Sequence, residues 1–170
     1  LDVEEATPGL TALVESAVDE LTEMRAQEGA RLAVDLAQRV ATLRDVEARL
    51  RARAPSQVLA HRERLESKLA ELLGAQSRID DARLAQEVAL IAERTDVTEE
   101  LTRLSSHLEA FAAELQRSGG SGKRLEFITQ ELLREVNTIG SKVSDAEMTA
   151  LVIDAKCELE KVREQVANLE

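Results

Sequence analysis

KRLEFITQELLREVNTIGSK, residues 123–142, decides the fold class of this 170-residue chain. On a helix, at 100° per residue, Leu125, Ile128, Leu132, Val136 and Ile139 fall within roughly 80° of one another. That is a stripe built to be buried. A second strip of about the same width carries Glu126, Gln130, Arg134, Asn137 and Ser141. Between the two lie Glu131, Glu135, Thr138 and Lys142. A bland surface helix shows a charged face. This one sets a carboxylate, two amides, a guanidinium and a hydroxyl in a row.

The rest of the chain is composed for the same architecture. Hydrophobic residues make up 44% and charged residues 32%, enough apolar material for a folded core. There are two Phe, no Tyr and no Trp. A core of Leu, Val, Ile and Ala suits close helix packing, whereas sandwiches and barrels lean on aromatics. The net charge of −11 argues against a polyanion partner for the chain as a whole. The charge is uneven, however. Leu1 to Ala30 holds eight acids and one Arg, and Arg31 to Arg64 holds eight Arg and four acids. The lack of aromatics removes the usual platforms for stacking single-stranded bases. Cys157 is the only cysteine, expected as a small packing residue in a reducing compartment. No run approaches a transmembrane helix, so a soluble cytoplasmic protein without a membrane partner is expected.

Thr7-Pro8 predicts a helix start, and Pro55-Ser56 predicts its end. Leu10, Val14, Ala17, Leu21 and Met24 form a seam that Leu32, Leu36, Val40, Leu43 and Leu50 resume after Gly29. A second helix is expected to about Leu73, stopped by Gly74, with GAQSRID as a loop. Asp80 or Asp81 caps a third, and TDVTEE opens a fourth. RSGGSG is a break before the opening stretch. SDAE, residues 144–147, reads as a capping box led by Ser144, with Asp145 as the alternative cap. The expected fold is therefore all-α, about six helices in long antiparallel hairpins, and oligomeric.

Four features bear on chemistry. SGGSGKR resembles a phosphate loop but has Arg117 and Arg124 where such a loop needs glycine and Ser or Thr. Glu131 and Glu135, four apart, set like charges on one face. A solvated face accounts for them most simply on spacing alone, and a divalent cation is the functional alternative. His107 shares a strip with Glu93, Glu100, Arg103 and Glu114, where it can serve acid–base chemistry or border the core beside Phe111. Arg44, Arg49, Arg51 and Arg53 suit either RNA phosphates or a neighbouring chain's acidic segment. On the last predicted helix, Leu151, Leu159, Val162 and Val166 line one side and Ala150, Ile153 and Cys157 another, the pattern of a sandwiched helix.

The order of these motifs resembles the YicC/YloC family of bacterial endoribonucleases. The carrying residues are MRAQEG (24–29), then Arg103, Ser106, His107, Leu108, Gln130, Glu131, Arg134, Glu135, Asn137, Thr138, Ser141, Lys142, Asp145, and Arg163 to Val166. Glu126, Leu133 and Ala167 depart from the family's aspartate, asparagine and glutamine. The resemblance implies divalent-metal-dependent cleavage of RNA, with manganese preferred and magnesium the alternative, by a hexameric ring. It implies a longer family chain, of which residues 1–54 continue from an N-terminal domain, 55–95 connect, and 96–170 carry the motifs. With it, chemistry assigns His107, Glu131 and Glu135 as metal ligands and catalytic groups. Arg103, Lys123, Arg124, Arg134, Asn137 and Lys142 are assigned to RNA. A non-catalytic scaffold or adaptor module is the competing expectation. Convergence of His107, Glu131 and Glu135 in space separates the two.

Overall fold

The computed structural model describes residues 3–73, 81–117 and 122–169. Five helices account for nearly all of them: α1 Val3–Leu73, α2 Asp81–Thr95, α3 Thr98–Leu115, α4 Gly122–Lys142 and α5 Ala146–Ala167. No strand occurs among the described residues, so the fold is all-α. The loop predicted at 74–80, the Asp80 cap and the glycine-rich 118–121 lie outside the described residues. None of the described helices is long and apolar enough to cross a membrane.

Five helices stand where about six were expected because the break at Pro55 does not happen. Proline removes one helical hydrogen bond at a cost of about 3 kcal/mol. Packing on both sides of it outweighs that cost. Leu50 is fully buried one turn before, and Gln57 is buried just after, accepting a hydrogen bond from the Ser144 backbone amide at 3.2 Å. Ser56 turns its hydroxyl onto the Arg53 carbonyl at 2.7 Å. The helix likewise starts at Val3, before Pro8, rather than at Thr7. The resulting α1 has 71 residues, roughly 105 Å of helix.

Only the middle of α1 is in the core. Leu36, Val40, Leu43 and Leu50 share one core with Leu101, Leu104, Leu108 and Phe111 of α3, Leu125, Leu132, Val136 and Ile139 of α4, and Met148, Leu151, Leu159 and Val162 of α5. α3 packs on α4, α4 on α5, and α1 closes over α3 and α5. α4 and α5 come close at Gly140, where a Cβ would lie 3.0 Å from Val152 Cγ1 and press that side chain aside. Asp145 rather than Ser144 caps α5, its carboxylate accepting from the Met148 amide at 3.0 Å. Arg53 of α1 binds the same carboxylate at 2.8 Å. These two bonds hold the Asp145 carboxyl well down, to about 2.

Two expectations about apolar surface are corrected. Cys157 is exposed, as are Ala150 and Ile153, so α5 is covered on one side only by this chain. The amino-terminal seam of α1 is uncovered too: Leu10, Leu13, Val14, Val18, Leu21 and Met24 are 52–70% exposed. The arginine run is also placed. Arg51 binds Glu47 and the Leu101 carbonyl, Arg53 binds Asp145 and Glu147, and Arg49 lies 3.7 Å from Asp45. These arginines pair inside their own chain.

Candidate metal centre

α3 and α4 run antiparallel, and their border positions meet as a ladder of polar rungs. Residues 100, 107 and 114 on α3 recur every seven residues, as do 124, 131 and 138 on α4, so each set stays on one edge of its helix. At one end the Lys142 ammonium donates to Glu100 at 2.8 Å and to the Asp96 carbonyl at 2.9 Å. Burial pushes the Glu100 carboxyl up, but the bond from Lys142 and nearby Arg103 outweigh it and leave it lowered. At the other end Arg124 reaches buried Glu114 at 3.2 Å, with Arg117 at 3.7 Å from the same oxygen. Each end pairs an acid with a cation.

The middle differs. His107 of α3 and Glu131 and Glu135 of α4 converge, each offering one ligand atom, with these atoms all within 4.8 Å of one another. Glu135 is buried, while His107 and Glu131 are half-buried. Two carboxylates thus face one imidazole. Arg103 stands 4.0 Å from Glu135, beyond hydrogen-bond range, and its own short ion pair is to Glu99. Arg134 lies 3.7 Å from Glu131 but is 71% exposed. A buried carboxylate with so little compensation is costly.

A divalent cation fits this set. Three donors cannot all lie opposite one another; on bonds of about 2.0–2.3 Å neighbouring donors stand roughly 3–3.7 Å apart, so donors lying within 4.8 Å share one ion after closing in by roughly an ångström. One imidazole with two carboxylates suits manganese better than magnesium, which favours oxygen donors and retained water. Three protein ligands leave coordination positions open for water or substrate.

The remaining residues assigned from sequence divide by face. Glu126, Gln130, Asn137 and Ser141 point to solvent, separate from the seam that holds Glu131 and Glu135, and Arg134, also exposed, borders it at 3.7 Å from Glu131. Lys123 is exposed at the start of α4. Lys142 and Arg124 are held by carboxylates at the two ends of the ladder. Glu100 and Glu114 were not singled out as their partners. Their seven-residue spacing from His107 was the available signal.

The family model for the C-terminal domain of YicC-like endoribonucleases matches residues 50–170. The chain belongs to the YicC-like family. A protein named probable endoribonuclease YicC from Clostridioides difficile is 42% identical over 161 residues, covering 95% of this chain and 55% of that protein. One of the same name from Haemophilus influenzae is 34% identical over 169 residues, covering 99% and 58%. The chain therefore spans just over half the length of these YicC relatives, and the domain match contains every rung of the α3/α4 ladder.

Proposed function

We propose that this YicC-like chain carries a divalent-metal endoribonuclease centre in the seam between α3 and α4. The convergence of His107, Glu131 and Glu135 carries the reading. A bound manganese or magnesium ion supplies an activated water and neutralises charge developing on the phosphate. The chain's own groups set the stage. Glu135, buried and fixed in the seam, and half-exposed Glu131 hold the cation from α4. His107 completes the set from α3, and its solvent edge suits it as a general acid when not ligating. Arg103 stands at the cluster with a guanidinium fork suited to a phosphate. Arg134 and Lys123 extend that cationic edge along exposed α4, whereas Asn137 lies on the solvent strip away from the cluster. Lys142 and Arg124 join only by exchanging a carboxylate for a phosphate.

The test combines manganese titration with cleavage of a labelled structured RNA, with metal and with chelator. Wild type is expected to bind manganese and to cut only with metal. Glu131→Gln and Glu135→Gln are expected to stay folded and lose both properties. Normal binding and cleavage by the two variants would remove the seam from the mechanism.

A second reading is favoured by a separate observation. The bare seam on α1 and the uncovered Ile153 side of α5 suit a neighbouring copy, so assembly, as a hexamer for the intact protein, is proposed alongside catalysis. The two readings are compatible.

A further inference from the structure

We propose that Phe127 is a base-stacking platform that holds a single-stranded nucleotide beside the His107/Glu131/Glu135 cluster, an inference that rests on the ribonuclease reading. The chain has two phenylalanines, and the fold treats them in opposite ways. Phe111 is fully buried in the core, whereas Phe127 is 62% exposed. Exposure alone decides nothing, since single apolar residues are common on surfaces. Position decides. Phe127 stands four residues before Glu131 on α4, on the same face and roughly 6 Å away along the axis. Lys123 lies one turn before it and Arg134 two turns after, both exposed.

An aromatic ring between two cations, next to a metal-ligating carboxylate, matches what single-stranded RNA offers. The cations follow the backbone and the ring takes the face of an unstacked base. A protein partner would require further apolar neighbours around the ring. Instead its neighbours one turn away on α4 are Lys123, Arg124, Gln130 and Glu131. A base stacked on Phe127 brings its adjoining phosphate to the cluster. Stacking of this kind tolerates every base, so it favours unpaired RNA over a particular sequence.

The chain contains no Trp or Tyr, so Phe127→Trp supplies a fluorescent reporter without background. With chelator present to prevent cleavage, a short single-stranded oligoribonucleotide is expected to quench it. Inorganic polyphosphate, which has charge but no bases, is expected not to. In cleavage assays Phe127→Ala is expected to raise KM for single-stranded RNA about tenfold, with kcat little changed, and Phe127→Trp to keep the wild-type KM. Equal quenching by polyphosphate, or an unchanged KM in Phe127→Ala, overturns the proposal. So does quenching that tracks protein concentration without RNA, which would assign the ring to a protein contact. If neither this chain nor a longer protein containing it cuts RNA, the ribonuclease reading has failed, and the titration still decides Phe127.

Discussion

The ends and the middle of the α3/α4 seam are built from the same two helices in the same register, yet they solve opposite problems. At the ends, Glu100 meets Lys142 and Glu114 meets Arg124. Charge is balanced, and the rungs clamp the hairpin. In the middle, Glu131 and Glu135 converge on the imidazole of His107, with looser cations nearby: Arg134 at 3.7 Å from Glu131 and Arg103 at 4.0 Å from Glu135. Nothing about helix packing demands that imbalance, because a lysine at 107 would have made a third clamp. The difference leaves the middle rung with more carboxylate than closely held cation, the imbalance that the proposed metal would offset.

The largest effect should come from erasing that difference. His107→Lys places a cation where we infer a metal. Manganese affinity, read by calorimetry, should fall at least ~100-fold, since even groups one step removed from a metal cost 10–100-fold. Thermal stability should hold or rise by up to about 1 kcal/mol, as expected for a partly exposed ion pair. Undiminished manganese binding in that variant would show that the rung is no metal site.

The next effect belongs to the Lys142 end. Lys142→Met strands a buried carboxylate, and removing one member of such a pair costs about 3 kcal/mol. The pH dependence should also change sign. In the wild type the Glu100 pKa lies below its ordinary value. Its contribution is present above the ordinary carboxylate range and is lost as pH falls through the lowered folded value. Without Lys142, burial prevails, the folded pKa rises above the ordinary value, and protonation stabilises the fold instead. The stability gap between the two proteins should therefore narrow as pH falls, which urea unfolding at neutral and acid pH can measure. A gap that stays constant would mean Glu100 is not held by Lys142.

These contrasts also explain what was readable from sequence. The apolar stripe of residues 125–139 is a local property of one helix, so it survived intact: Leu125, Ile128, Leu132, Val136 and Ile139 are all buried. His107, Glu131 and Glu135 were legible as border positions of two helices, and a motif resemblance tied them together. The partner of Lys142 was not legible, because Glu100 is 42 residues away and only the hairpin's register joins them. Pro55 misled because its penalty is local while the packing that overrides it, through Leu50 and Gln57, is tertiary. The arginine run misled in the same way. Its partners include Asp145, 92 residues on. Composition counts two phenylalanines but not their placement, and only the fold separates buried Phe111 from exposed Phe127.

The smallest effect should come from the other clamp, and its smallness is informative. Glu114 is as deeply buried as Glu100, so burial alone would forecast an equal loss on removing its arginine. The cations differ, however. Lys142 is 31% exposed, while Arg124 is 62% exposed and therefore well screened. Arg117 also remains 3.7 Å from the same Glu114 oxygen after Arg124 is gone. Arg124→Gln should accordingly cost under about 1 kcal/mol, and removing Arg117 as well should cost more than the two single losses added together, since each covers for the other. Strict additivity in that cycle would show that the two arginines act independently, leaving Lys142 as the only cation whose loss strands a buried acid at the end of the seam.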